Sequence, residues 1–267
     1  MPAHEVETAD GARLAITVDG AGRDVLLVSG LGGTASFWNP TIPALAGAHR
    51  VTRFDARGIA ASTRGTAACD IDRLARDCLA VMDAVGTERA IFVGHSTGGA
   101  IGQALARIAP ERLSALVLSA TWLKPSRYMG ALFAARRRIL DLDPAVYAAT
   151  GAVLGYAPAW LEANWAVFEG AVAKPPASDE ARRVVRERID ALLAFNGSES
   201  AAEIACPVLV MGTLDDAIVP AFLQEELAAA LPSGRQVVTY PDGGHFFPVT
   251  RTGDFIRDLL AFTGAAA

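Results

Sequence analysis

Short apolar runs alternate with segments of helical periodicity along the first 120 residues. Residues 5–19 predict a hairpin, because Asp10-Gly11 is a strong turn signal and Leu14, Ile16 and Val18 alternate after it. The continuous apolar run at 25–29 predicts a strand that is buried on both faces, and further strands are predicted at 49–55, 89–93 and 113–119. Helical spacing predicts a helix over 70–85 and another that starts just after 93 and runs to Pro110.

The alternation stops at about residue 121 and resumes near 204. The intervening segment is mostly helical in pattern, with a break at Pro175-Pro176. Beyond it, strands are predicted at 207–211 and 236–240, and helices at 221–231 and 254–262. We therefore predict an α/β fold with a mostly parallel, doubly wound sheet. Residues 1–120 and 204–267 would form its core, and 121–203 a helical cap over the carboxyl ends of the strands, where ligands bind.

Composition and charge exclude several classes of protein. The chain has 267 residues, of which 52% are hydrophobic, and its formal net charge is −5. Such a chain can bury a sizeable core and lacks the positive field that nucleic acid demands. Its three cysteines indicate neither a disulfide framework nor a zinc site, and no cofactor fingerprint is present. No secretory signal or membrane-length apolar run is visible, so we expect a cytoplasmic protein without cofactor or metal that acts on a small molecule.

The sequence Gly94-His95-Ser96-Thr97-Gly98 carries the strongest chemical signal. It contains the pattern G-x-S-x-G between a predicted strand and a predicted helix, which is the context of a nucleophile elbow. A tight strand-to-helix turn needs small residues beside the strained one. The turn would place the Ser96 hydroxyl at a helix N-terminus, where backbone N–H groups favour developing negative charge. An ordinary N-cap serine is the alternative.

A serine nucleophile needs a base and a carboxylate that orients the base. Of the four histidines, His245 lies on a loop after a late strand, as the chain order Ser, Asp, His requires. Two adjacent carboxylates, Asp215 and Asp216, follow the strand at 207–211. Because neighbouring residues on a loop point apart, only one of the two can serve.

With these motifs, the whole chain resembles the α/β-hydrolase-fold enzymes. Members commonly carry G-x-x-D after this strand, which matches Gly212 to Asp215 and points to Asp215 as the triad acid. The resemblance also implies an oxyanion hole made by two backbone N–H groups, those of Thr97 and Leu31. Family members often have His-Gly before the second donor, whereas this chain has Ser29-Gly30.

Within that fold, the chain is similar to two groups of small bacterial catabolic hydrolases. The segment Gly212–Asp215 resembles enol-lactone hydrolases. The segments 29–33 and 37–38 and the pair Trp122-Leu123 resemble aminoacrylate hydrolases. Both groups handle small carboxylates, so a cation under the cap would fit, and Arg127 and one of Arg136–Arg138 are the candidates. The candidate substrate contacts are Trp122, Arg127, Tyr128 and Phe246.

Four functions remain open from the sequence. The first is a serine hydrolase that cleaves a small carboxylic ester or lactone through an acyl-enzyme. The second is hydrolysis of a C–N bond in a small amide or enamine acid by the same triad. Perhydrolysis or C–C hydrolysis is the third, and a non-catalytic ligand-binding homologue is the fourth. The serine, histidine and aspartate argue against the last, since a binding protein has no need of them.

Overall fold

The predicted strands assemble into one continuous sheet. The computed structural model describes residues 4–265, and within them the strands are β1 (His4–Glu7), β2 (Arg13–Asp19), β3 (Arg23–Val28), β4 (His49–Phe54), β5 (Ala90–His95), β6 (Leu113–Ser119), β7 (Val208–Thr213) and β8 (Gln236–Tyr240). Their order across the sheet is β1-β2-β4-β3-β5-β6-β7-β8. β1 and β2 form the predicted hairpin, and β2 pairs antiparallel with β4. All further pairs are parallel, which confirms the mostly parallel sheet.

Helices connect most of the parallel strands. They are α1 (Ile42–Leu45), α2 (Ile71–Ala84), α3 (Thr97–Ile108), α4 (Arg127–Leu142), α5 (Pro144–Gly155), α6 (Pro158–Ala163), α7 (Trp165–Ala173), α8 (Asp179–Ala194), α9 (Ala221–Ala230), α10 (Phe247–Thr250) and α11 (Thr252–Ala265). Short 3₁₀ helices lie at Ala35–Trp38, Pro110–Arg112 and Ala201–Glu203. Among the described residues, no helix combines the length and the apolar character needed to cross a lipid bilayer.

Each face of the sheet carries its own apolar core. Along β3, Leu26 and Val28 pack on the face covered by α2, α3 and α9, whereas Val25 and Leu27 pack on the face covered by α1 and α11. Successive side chains of a strand point to opposite faces, so a continuous apolar run can serve both cores. The sheet is therefore doubly wound, as predicted.

The strand order reverses between β3 and β5. From β3 the chain crosses to β4 on one side, and β5 then pairs on the other side of β3 and leads on to β6. In open α/β sheets, ligands bind outside the carboxyl ends of the strands at this switch point. The loops that start at Ser29, after β3, and at Ser96, after β5, meet there.

Helices α4 to α8, which we call the cap helices, lie between β6 and β7 in the chain. They cover loops at the carboxyl edge of the sheet. The Tyr128 hydroxyl on α4 donates to the carbonyl of Ala217, which follows β7. The amide of Phe246, after β8, donates to the carbonyl of Gly155 at the end of α5 over 2.8 Å. These helices lie within residues 121–203, and the division of the chain into a core and a cap stays a prediction.

Candidate active site

Ser96 occupies a strained turn between β5 and α3. Its backbone has φ 56° and ψ −120°, a conformation that side-chain-bearing residues rarely adopt. The Ser96 amide donates to the Ser119 carbonyl of β6 over 2.8 Å, which ties the turn to the neighbouring strand. Strain of this kind persists only where the surroundings enforce it, and it collects at functional sites.

Two glycines make that turn sterically possible. A Cβ at Gly94 would lie 2.2 Å from the Gly98 carbonyl oxygen, and a Cβ at Gly98 would lie 2.2 Å from the Val28 carbonyl oxygen. The end of β5 thus lies in backbone contact with the first turn of α3, and that turn lies in backbone contact with the end of β3. This close approach explains the glycine spacing around Ser96 in physical terms.

His245 is held by a buried carboxylate. Its Nδ1 lies 2.7 Å from Oδ2 of Asp216, and both side chains are almost completely buried. The other oxygen of Asp216 accepts from the amides of Ile218 and Val219, each over 2.8 Å. Because a carboxylate only accepts, the proton of the neutral imidazole is on Nδ1, and Nε2 is left as the basic nitrogen.

The expectation that Asp215 would contact His245 is wrong. Asp215 is exposed, and its two oxygens accept from the amides of Gly243 and Gly244 over 3.1 and 2.8 Å. It therefore holds the loop that carries His245, while Asp216 holds the imidazole. The physical reason is that the amides of Ile218 and Val219 hold one oxygen of Asp216 and leave its other oxygen facing the imidazole, whereas the two glycine amides occupy both oxygens of Asp215.

The structure brings Ser96 and His245 to the same edge of the sheet. The ring of His95, next to the serine, lies 4.9 Å from the ring of His245 between centroids. In the described part of the chain, no hydrogen bond joins Ser96 to His245; such contacts often tighten only when substrate is bound. Burial lowers the pKa of His95 well below its usual value, so that ring is neutral beside the base.

The two candidate oxyanion donors flank Ser96. Thr97 begins α3, so its amide is one of the N-terminal N–H groups that have no partner within the helix. Leu31 lies on the loop after β3, where a Cβ at the preceding Gly30 would lie 2.9 Å from the Ser96 Cβ. The loop thus lies directly against the serine side chain.

Comparison with known families agrees with this geometry. A family model described as the α/β hydrolase fold matches residues 25–252, which is most of the chain. This chain belongs to the α/β-hydrolase family. Ser96 after β5, Asp216 after β7 and His245 after β8 follow the chain order Ser, Asp, His that is typical of this family. The chain is accordingly a hydrolase, as expected.

Similar proteins of the family cover nearly the whole chain. RutD of Azorhizobium caulinodans, provisionally named a carbamate hydrolase, is 37% identical over 254 residues, which span 95% of this chain and 96% of that protein. The protein of the same name from Variovorax paradoxus is also 37% identical, over 249 residues, with 90% and 91% covered.

Among solved structures, a hydrolase from Pseudomonas aeruginosa superposes with a TM-score of 0.87 at 32% identity and covers 98% of both chains. The enol-lactonase of Burkholderia xenovorans superposes with a TM-score of 0.86 at 24% identity, covering 98% of this chain and 100% of that one. The latter likeness concerns the fold.

The four candidate substrate contacts of this α/β hydrolase lie in different environments. Phe246 packs 5.4 Å from the His245 ring and 4.9 Å from Tyr156 of the cap, between centroids. Trp122 is fully buried in the core beside the cap helices. Tyr128 is partly exposed and bridges to the loop after β7. Arg127 is exposed at the start of α4, so of the candidate cations it is not one that lies buried under the cap.

Two arginines of the cap are buried: Arg136, one of the candidate cations, and Arg188, which was not singled out from the sequence. Arg136 stacks on Tyr147 with 4.4 Å between its guanidinium carbon and the ring centroid. Arg188, on α8, is 1% exposed and donates to the carbonyl of Leu31 on the loop after β3. A signal was available, because Val184, Arg188 and Leu192 recur every four residues and so share the buried stripe of the helix.

Proposed function

We propose that this α/β hydrolase is a serine hydrolase with Ser96 as nucleophile, His245 as base and Asp216 as the orienting carboxylate. The observation that carries the proposal is the buried 2.7 Å contact between His245 and Asp216, on loops that converge at the strained Ser96 turn. A strained turn and a buried charge are costly features in a protein that only binds. They support catalysis over the non-catalytic alternative.

The mechanism follows from these positions. Nε2 of His245 takes the hydroxyl proton as the Ser96 oxygen attacks the substrate carbonyl and forms a tetrahedral oxyanion. Asp216 stabilises the imidazolium that results. When the carbonyl reforms, the bond to the leaving group breaks and that group takes the proton from His245. A water molecule then loses a proton to His245 and attacks the acyl-enzyme, which releases the acid and restores Ser96.

The amides of Thr97 and Leu31 would stabilise the oxyanion. Both stand beside Ser96, one at the start of α3 and the other on the loop after β3. Donors fixed in a buried site need no reorganisation when charge develops on the oxygen, and this makes them effective.

Two classes of bond fit the site. The first is a small carboxylic ester or lactone, because ester chemistry demands least of the leaving group. The second is the C–N bond of a carbamate or a related small enamine acid. The specific observation that favours the second class is the similarity to the RutD proteins, at 37% identity across most of the chain. Both classes proceed through the same acyl or carbamoyl enzyme.

Hydrolysis of p-nitrophenyl acetate and butyrate by the wild type and by Ser96→Ala tests the assignment. We expect turnover in the wild type and loss of at least about 10³-fold in the variant. Ser62→Ala is the matched control, because that hydroxyl is also buried but bonds to the Asp55 carbonyl away from the elbow. Equal activity of Ser96→Ala and wild type would refute the role of Ser96.

A substrate panel then separates the two bond classes. Small lactones and p-nitrophenyl esters form one arm, and small N-substituted carbamates form the other, each compared by kcat/KM. Labelling by a fluorophosphonate probe accompanies the panel. A chain that is neither labelled nor active on either arm would support the non-catalytic alternative.

A further inference from the structure

Arg188 joins the cap to the loop that carries the Leu31 donor. Its Nε donates to the Leu31 carbonyl and its Nη2 to the Gly30 carbonyl, each over 2.9 Å. The side chain is completely buried, and its third nitrogen, Nη1, has no hydrogen-bond partner. One side chain of α8 thus fixes two successive carbonyls of a loop more than 150 residues earlier in the chain.

Because the peptide bond is planar, the contact with the Gly30 carbonyl also fixes the direction of the Leu31 N–H. The Gly30 carbonyl and the Leu31 N–H belong to the same planar peptide unit, which is trans. In a trans peptide the C=O and the N–H point in opposite directions. Holding the Gly30 carbonyl toward Arg188 therefore turns the Leu31 N–H away from the cap arginine, in a loop that lies against Ser96.

Burying the charge of Arg188 costs free energy that an apolar residue at this position would not cost. Its position on α8 lies in line with Val184 and Leu192, where an apolar side chain would fill the core without a charge to bury. No carboxylate lies within ion-pair distance of Arg188 in the described part of the chain, and burial lowers the pKa of its guanidinium. Hydrogen bonds to two peptide carbonyls offset only part of the free energy that is needed to remove a cation from water.

We propose that Arg188 is a positioning residue that locks the Gly30–Leu31 peptide with its N–H toward the Ser96 oxyanion, so that the oxyanion hole is complete only when α8 is docked. This inference rests on the proposed serine-hydrolase function and deepens it. It makes the cap a part of the catalytic machinery as well as a cover for the substrate. The Gly33 amide also donates to the Gly30 carbonyl over 3.0 Å, so the loop is held from two sides.

The test compares Arg188→Gln and Arg188→Lys with the wild type on p-nitrophenyl acetate. Concentrations are normalised to active sites titrated with a fluorophosphonate, so that unfolded protein does not count. We expect kcat of Arg188→Gln to fall about 10- to 100-fold with KM within threefold, because an oxyanion donor acts mainly in the transition state. This decrease in kcat is smaller than the decrease expected when a whole oxyanion donor is removed, because the Gly33 amide still holds the Gly30 carbonyl.

Two further readouts distinguish positioning from packing. The inhibition constant of a trifluoromethyl ketone, whose adduct carries an oxyanion, should rise by the same factor as kcat falls. Arg188→Lys keeps the charge and reaches one carbonyl, so its kcat should lie between those of the other two proteins; it also serves if the glutamine variant does not fold. Arg186→Gln is the control, because it removes an arginine of the same helix that bonds to Asp141 of α4 instead of the loop after β3.

Either of two results would overturn the inference. One is an unchanged kcat and ketone affinity in both Arg188 variants. The other is a raised KM with kcat unchanged, which would place the arginine in ground-state binding. Failure of the proposed function has a different signature, since the wild type itself would then be neither labelled nor active.

Discussion

Replacing Asp216 with asparagine separates the roles of the two carboxylates that follow β7. The amide keeps an oxygen that can accept from Ile218 and Val219, so the loop retains its shape. The group that faces His245 becomes an NH₂, which donates where the carboxylate accepted. The imidazole must then move its proton to Nε2, and the nitrogen that should receive the Ser96 proton is no longer basic.

The structure sets the size of the effect. The Asp216 side chain has no exposed surface and that of His245 has 3%, so no water can substitute for the lost partner. The same change of tautomer in serine proteases lowers kcat by about 10⁴-fold, which corresponds to about 5 kcal/mol of transition-state stabilisation. We expect a loss of that order for Asp216→Asn.

Asp215→Asn is the matched control. Its oxygens hold the amides of Gly243 and Gly244 at an exposed position, and asparagine can keep one of the two bonds. Loss of one bond to an exposed carboxylate costs about 1 kcal/mol, which predicts a decrease in kcat/KM of less than about tenfold.

The assay is kcat/KM on p-nitrophenyl acetate across the two variants, with a thermal melt of each protein. If Asp215→Asn is the more damaging change, or if Asp216→Asn stays within tenfold of wild type, the assignment of the acid is refuted. In that case a lower Tm of Asp216→Asn would not restore the assignment of Asp216, because kcat/KM is compared per titrated active site.

Three further predictions concern stability. Arg57→Gln should lower the free energy of unfolding by about 3–5 kcal/mol in urea denaturation, because it leaves the Asp10 and Asp77 carboxylates without their cation. Arg107→Gln, which breaks a surface ion pair, should lower it by less than about 1 kcal/mol. Burial keeps His95 neutral in the folded protein, so below a pH of about 6.5 only the unfolded chain binds a proton at this residue. The free energy of unfolding should therefore fall as the pH drops below about 6.5, by up to about 1.4 kcal/mol per pH unit, and His95→Gln should reduce that slope. Gly98→Ala should destabilise by about 1–3 kcal/mol through its clash with a strand carbonyl, whereas Gly130→Ala, in open space on α4, should not.

Each of these has a clear contrary result. Equal losses in the two arginine variants would mean that the buried ion pairs are solvated in the folded protein. An unchanged pH slope in His95→Gln would show that this ring takes up a proton in the folded state. A neutral Gly98→Ala would mean that α3 can move away from β3.

Local patterns in the sequence were sufficient to predict the architecture of the fold. Strand positions follow from apolar runs, and the doubly wound sheet follows from their alternation with helices, since both depend on periodicities within a few residues. The glycines at 94 and 98 predict the tight turn at Ser96 for a similar reason, because the contact that excludes a side chain forms between near neighbours and one adjacent strand. His245 was chosen by elimination among four histidines and chain order.

What the sequence left open depended on which way a side chain points. Asp215 and Asp216 are chemically identical, and only the hydrogen bonds of the loops around them decide which of the two turns inward. Arg127 and Arg188 are both arginines on amphipathic helices, yet Arg127 faces solvent and Arg188 points from α8 onto the loop after β3. Burial and direction are properties of packing between distant segments, and so the tertiary structure decides them, whereas periodicity along the chain had already determined the fold.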